Sequence, residues 1–143
     1  MRAMQATATA TLPLPLDKVW AALADHEAMA SWGPGVKVEL TREGSTERNG
    51  VGAVRSIKAA GPAPAIVEEI TRFDADRALG YKALSGVPFR GYRGEVLLTG
   101  AGEGTRVEWT LYADQRVPLV EQAALKVVVT TLLTLFVRAA KKA

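Results

Sequence analysis

The stretch VPLVEQAALKVVVTTLLTLFVRAAKKA, residues 117–143, is the longest element that the sequence predicts. Seven apolar positions recur at helical spacing and share one face: Leu125, Val128, Val129, Leu132, Leu135, Phe136 and Ala139. Pro118 suits the first helical turn, and Lys141 and Lys142 complement the helix dipole at the other end. The β-branched run at 127–131 favours a strand, but the length and the fourth-residue recurrence of polar positions favour one helix of about 24 residues.

Upstream of this helix the sequence alternates between strand patterns and turns. Residues 5–12 (QATATATL) predict a half-buried strand, and six further strand patterns follow between residues 36 and 113. Residues 12–32 (LPLPLDKVWAALADHEAMASW) predict two short helices between the first strand and the second. Because no repeat and no linker interrupts this order, residues 1–143 are predicted to form one domain.

The composition excludes several classes of function. Of the 143 residues 48% are hydrophobic and 23% charged, which is typical of a folded domain. The chain lacks cysteine, so disulfides, thiolate zinc sites and iron–sulfur clusters are excluded. The net charge of +3 is not concentrated in a basic stripe with interleaved aromatic residues, and nucleic-acid binding is not expected. The continuous apolar run at 127–137 is too short to span a membrane, and the N-terminal residues do not resemble a signal peptide. These features predict a cytoplasmic location.

One predicted strand carries a charge on its apolar face. In NGVGAVRSI, residues 49–57, the alternation places Arg55 in one row with Val51. A buried guanidinium costs several kcal/mol unless it is paired or hydrated. The segment VEEI offers the partner: Glu68 shares the apolar face of its strand and is favoured, and Glu69 is the alternative if a bulge shifts the register.

The order of these elements resembles the helix-grip superfamily (the SRPBCC group), which contains START lipid-transfer domains, birch-pollen-allergen-like proteins and bacterial polyketide cyclase/dehydrase-like proteins. Four stretches carry the resemblance, in this order: LPLPLDKVWAALADHEAMASWGPGVKVEL, GVGAVRSI, VEEITRFDADRALGYKAL and TRVEWTLYA. It implies an α+β helix-grip fold, in which a seven-stranded curved antiparallel sheet wraps around a long C-terminal helix, with two short helices between strands 1 and 2. It also implies a cavity between helix and sheet that holds apolar or amphipathic small molecules.

Strand parity and the helix face select candidate ligand-binding residues for such a cavity. They are mostly aliphatic or aromatic, as in other small-molecule pockets: Arg55, Glu68, Tyr81, Phe89, Tyr92, Trp109, Val128, Leu132 and Phe136. Phe89 and Pro62 are also candidate lid residues, because their loops occupy the latch and gate positions of the plant hormone-receptor branch. The latch here, SGVPFRG, lacks the His-Arg-Leu signature of those receptors, so hormone recognition is not implied. Trp32 is either a packing residue or part of the cavity mouth.

Three functions follow from these candidates. The first is binding or transport of a hydrophobic small molecule such as a lipid, a polyketide or an isoprenoid-like compound. The second is a cyclase or dehydratase in which Glu68 is the general acid/base, Arg55 an electrostatic stabiliser and Tyr92 a proton donor. The third is an interaction module that forms a homodimer through the outer side of the helix. No cofactor or metal is expected, because His26 is the single histidine and is predicted to lie at the surface between the short helices.

Overall fold

The computed structural model describes residues 2–142. The helices and strands follow one another in this order: β1 Arg2–Leu12, α1 Leu16–Ala24, a 3₁₀ helix His26–Trp32, β2 Lys37–Arg42, β3 Val54–Lys58, β4 Ile66–Asp74, β5 Ala78–Ser85, β6 Arg90–Ala101, β7 Gly104–Gln115 and α2 Val120–Lys142. The two short helices between β1 and β2 and the long helix after β7 are those that the sequence predicts.

The seven strands form one curved antiparallel sheet in the order β1-β7-β6-β5-β4-β3-β2. Helix α2 packs against β1 and β7, and apolar side chains from both layers form one buried cluster. Val107 and Leu111 of β7 and Leu125 and Val129 of α2 belong to this cluster and are fully buried. An antiparallel sheet cannot bury its apolar face by itself, so the helix is what completes the core. The fold is therefore the α+β helix-grip fold, as predicted.

The start of α2 differs from the prediction. The helix begins at Val120 rather than at Pro118, because Leu119 adopts a left-handed conformation with φ of 67° that cannot continue a right-handed helix. The Glu121 side chain accepts hydrogen bonds from the backbone N–H groups of Arg116 and Val117, at 2.6 and 2.8 Å, and from the Arg116 guanidinium. These bonds lower the pKa of Glu121 to about 2, so the carboxylate stays charged and holds the junction.

Helix α2 carries two apolar stripes rather than the single face that the sequence predicts. The buried stripe faces the sheet: Glu121, Leu125, Val129, Leu133, Phe136 and Ala140. Val128, Leu132 and Leu135 are only half-buried and lie on the neighbouring stripe. The predicted face took members from both stripes and missed Leu133 and Ala140.

Polar side chains of α2 cover the free edge of β1. Gln122 donates a hydrogen bond to the carbonyl of Gln5 at 2.6 Å, and Lys126 donates one to the carbonyl of Thr7. An uncovered edge strand is a template for unwanted pairing, and side chains that occupy its carbonyls blunt it. The polar positions that recur every fourth residue along the helix therefore have a structural use.

The alternation predicted for residues 51–57 holds only in part. Strand β3 begins at Val54, and Val51 lies in the preceding turn with 47% of its surface exposed. Gly52, which has a φ of 92°, makes that turn. The prediction that Val51 faces inward is therefore wrong, whereas Arg55 is buried as expected.

Candidate functional site

Arg55 and Glu68 form a buried ion pair on adjacent strands. The two residues are direct cross-strand partners in β3 and β4, and both are about 5% exposed or less. Arg55 donates from Nε and Nη2 to Glu68 Oε1, at 2.9 and 2.7 Å. Glu69 points the other way, and its carboxylate lies 3.7 Å from Arg42. The prediction of Glu68 rather than Glu69 as the partner of Arg55 is thus confirmed, because no bulge disturbs the register at this pair.

His26 extends this pair into a buried chain of three polar side chains. Its side chain is fully buried, so the predicted surface position is wrong. The ring Nδ1 lies 3.1 Å from Arg55 Nη1, and Nε2 lies 2.8 Å from the carbonyl oxygen of Asn49. A carbonyl only accepts and a guanidinium only donates, so the ring is neutral with its proton on Nε2. Burial and the positive charge of Arg55 lower the pKa of His26 to about 4.

No local signal in the sequence indicates the burial of His26. It stands between Asp25 and Glu27 at the junction of α1 and the 3₁₀ helix, where a polar residue normally faces water. Its partners are 29 and 23 residues away along the chain. Only the docking of this junction against β3 and the loop before it buries the ring.

Titration of this ring gives a direct test of the arrangement. Because the chain has one histidine, its NMR signals are unambiguous, and we expect a midpoint near pH 4 instead of the ordinary value of 6.5. A pKa that is lowered by folding contributes stability that is fully present above pH 6.5 and is lost as the pH falls through about 4. The variant His26→Gln should remove this part of the pH dependence of unfolding. A midpoint near 6.5 would contradict the buried arrangement.

Two aromatic side chains continue the polar cluster from Arg55 toward β7. The guanidinium of Arg55 lies 5.0 Å from the ring centroid of Tyr81, which is a favourable cation–π arrangement. Trp109 Nε1 donates to the Tyr81 hydroxyl at 3.1 Å, so both polar groups are satisfied. Gly94, the cross-strand partner of Tyr81, makes room for the phenol ring, because a Cβ at this position would overlap it.

Tyr92 and Phe89 form the next part of the wall. Their rings are stacked, with centroids 6.0 Å apart and an interplanar angle of 23°. Burial raises the pKa of Tyr92 well above its ordinary value, and the negative charge of Glu68 adds to the effect. The phenol therefore stays protonated at neutral pH and is a hydrogen-bond donor.

A cavity of about 540 Å³ lies between α2 and the strands that carry this cluster. Its lining is almost wholly apolar, with three charged side chains: Met29, Trp32, Gly33, Pro34, Val36, Arg55, Ile57, Ala59, Ile66, Glu68, Tyr81, Val87, Pro88, Phe89, Tyr92, Trp109, Val128, Leu132, Leu135 and Arg138. The volume lies in the range of about 300–1,000 Å³ that is typical of small-molecule sites.

Eight of the nine residues predicted to bind a ligand line this cavity, and one does not. Phe136 is buried on the other apolar stripe of α2, where it packs against Trp32 and Trp109 with centroids 6.1 and 6.2 Å away. The lid candidate Pro62 is exposed and does not belong to the lining, whereas Trp32 does. Leu135 and Arg138 were missed, because a helical period does not show which of two apolar stripes faces a cavity.

The comparisons with known proteins agree with this fold. The crystal structure of Ara h 8.0201 has a TM-score of 0.76 at 16% sequence identity, covering 99% of this chain and 97% of that one. TTHA0849 from Thermus thermophilus gives 0.75 at 20% identity, with 97% and 98% covered. A START superfamily protein from Mycobacterium smegmatis gives 0.79 at 10% identity, with 96% and 97% covered.

The fold and these likenesses define a protein of the helix-grip class. A family model described as "Polyketide cyclase / dehydrase and lipid transport" matches residues 3–142, and the chain belongs to that family. No functionally curated protein matches the chain.

Proposed function

We propose that the protein binds a hydrophobic small molecule, such as a lipid, a polyketide or an isoprenoid-like compound, in the cavity between α2 and the sheet. The observation that carries the proposal is the cavity of about 540 Å³, whose wall is apolar except for one compact polar cluster. A well-packed core leaves few spaces larger than a water molecule, so an open space of this size is a functional feature. A cytoplasmic location and a single domain over residues 1–143 are part of the same proposal.

The polar cluster fixes the orientation of the bound molecule. Arg55, Glu68 and Tyr92 line the cavity on one side, and the stripe of Val128 and Leu132 on α2 lies opposite them as part of the apolar wall. A ligand with one carbonyl, hydroxyl or carboxylate group satisfies donors on this side while its apolar body fills the rest. Burying an unmatched polar group costs about 1–3 kcal/mol, so the cluster also selects against pure hydrocarbons.

Filling the cavity from α2 tests the proposal. Leu132 is half-buried in the lining, and we expect Leu132→Trp to weaken binding of the neutral fluorescent probe N-phenylnaphthylamine at least about tenfold, because the indole occupies the ligand volume. A hydrophobic compound found by mass spectrometry in organic extracts of the wild-type protein should be absent from this variant.

The neighbouring residue provides a matched control for this test. Thr131 is exposed on the outer side of the same helix, so Thr131→Trp adds the same ring without entering the cavity and should leave probe binding unchanged. Equal binding by the wild type and Leu132→Trp, or a wild-type protein that takes up no probe, would contradict the proposal.

A second candidate function is a cyclase- or dehydratase-type reaction in the same cavity. Glu68 lines the cavity, and no donor among residues 2–142 reaches its Oε2, while Tyr92 supplies a protonated phenol on the same wall. A carboxylate and a phenol that face one substrate are a workable base and acid. An enzyme should lose turnover but keep ligand binding in Glu68→Gln, whereas a binding protein has no turnover to lose.

A further inference from the structure

The exposed large hydrophobic side chains are concentrated on one surface. Among residues 3–142, six such side chains are exposed, and four of them lie at the β7–α2 junction and on the outer face of α2: Val117 at 51%, Leu119 at 82%, Val120 at 67% and Val127 at 65%. We call these four residues the junction patch. Single exposed hydrophobic residues are ordinary, but a cluster of them marks an interaction surface.

The fold holds the most exposed member of the junction patch in a costly conformation. Leu119 has a φ of 67°, which a leucine rarely adopts, and its side chain is 82% exposed. Glu121 clamps this turn through the backbone N–H groups of Arg116 and Val117. Strain of this kind persists only where the surroundings enforce it, and it clusters at functional sites. Here its effect is to hold a leucine out into solvent.

The charge of α2 indicates what covers the junction patch. The helix carries four cations, which are Lys126, Arg138, Lys141 and Lys142, and its single acidic residue, Glu121, is neutralised by Arg116. Only a minority of its most apolar stretch is buried in the fold. By length and composition alone the helix is apolar enough to cross a bilayer, but its buried stripe completes the core. An apolar surface flanked by cations matches the interface of an anionic membrane.

A second copy of the chain fits this surface less well. Pairing two α2 helices in parallel brings their cationic ends together, and antiparallel pairing sets the cationic end of one helix against the junction patch of the other. Neither arrangement compensates the charges, because α2 offers no free carboxylate.

We propose that α2 docks on the surface of a bilayer that contains anionic phospholipid, with Leu119 and Val120 inserted below the headgroups and the cations of the helix at the headgroup level. Docking also brings the cavity close to the lipid, because Arg116 donates a hydrogen bond to the carbonyl of Pro88, which lies in the loop that lines the cavity. The surface is separate from the ligand site, so the proposal does not depend on what the cavity holds.

Co-sedimentation with vesicles tests this docking. We expect the wild-type protein to pellet with phosphatidylcholine vesicles that contain one quarter phosphatidylglycerol, and to bind pure phosphatidylcholine vesicles about tenfold more weakly. Leu119→Ser should reduce binding to the anionic vesicles about tenfold, because it removes the most exposed apolar side chain. Leu84→Ser is the matched control, since Leu84 is a 51% exposed leucine on β5, and it should have no effect.

A charge variant and a measurement of mass complete the test. Replacing Lys141 and Lys142 together by glutamine should weaken anionic-vesicle binding about tenfold without changing the fold, because both side chains are exposed. The proposal is overturned if the wild-type protein stays in the supernatant, or if Leu84→Ser and Leu119→Ser lose binding equally. It is also overturned if sedimentation velocity shows a dimer that Leu119→Ser dissociates, because a second copy would then cover the patch.

Discussion

Glu68→Ala is expected to destabilise the protein by about 3–5 kcal/mol, because it leaves the Arg55 guanidinium buried without its counter-ion. Arg55 is 4% exposed and gives two of its donors to Glu68 Oε1. His26 accepts from the third nitrogen but carries no charge, so it cannot replace the carboxylate. Urea denaturation at pH 7 measures the loss as a lower transition midpoint.

Glu69→Ala is the matched control for this prediction. The neighbouring carboxylate faces the other side of β4 and lies 3.7 Å from Arg42, whose side chain is 60% exposed. Ion pairs of this exposed kind are worth about 1 kcal/mol or less, so Glu69→Ala should cost little. Equal losses for the two variants would mean that the Arg55–Glu68 pair is not the buried feature that the contacts indicate.

Replacing both partners separates a structural from a functional role of the pair. A double variant, Arg55→Met with Glu68→Leu, leaves no unpaired charge and should recover most or all of the wild-type stability, because apolar replacements of buried ion pairs are often neutral or stabilising. If the double variant folds but loses an endogenous ligand, the pair is retained for recognition. If it folds and binds as before, the pair only seals the core.

The Arg55–Glu68 pair was accessible from the sequence because strand alternation is a local rule. Both residues stand at apolar parity in their own strands, and the pairing needs only that the two strands are neighbours. The same rule failed at Val51, since Gly52 adopts a positive φ that ends the alternation. Parity is reliable inside a strand and carries no information on where the strand begins.

The burial of His26 and the partition of α2 were not accessible in the same way. Burial of His26 depends on contacts with residues more than 20 positions away, and nothing around it in sequence differs from a surface turn. In α2, Phe136 and Leu135 are equally apolar neighbours, yet one faces the core and the other the cavity. Helical periodicity identifies the apolar side of a helix, but it does not tell packed volume from open volume.

This partition leads to the second large prediction, which compares two adjacent residues of α2. Phe136 is 1% exposed and packs against Trp32 and Trp109, so Phe136→Ala should cost about 3–5 kcal/mol through lost burial and a new void. Leu135 is half-buried and already borders open space, so Leu135→Ala should cost only about 1–2 kcal/mol. Chemical denaturation of both variants measures the difference.

Binding of N-phenylnaphthylamine should rank the same two variants in the opposite order. Leu135→Ala removes part of the cavity wall directly and should change the probe affinity more than the stability. Phe136→Ala acts mainly on the core behind the wall, since its aromatic partners Trp32 and Trp109 supply the cavity surface. If both variants lose stability and affinity in the same proportion, α2 has one continuous packed face and the space beside it is not a binding site. Opposite rankings require two stripes with separate tasks, one that holds the helix to the sheet and one that faces the ligand.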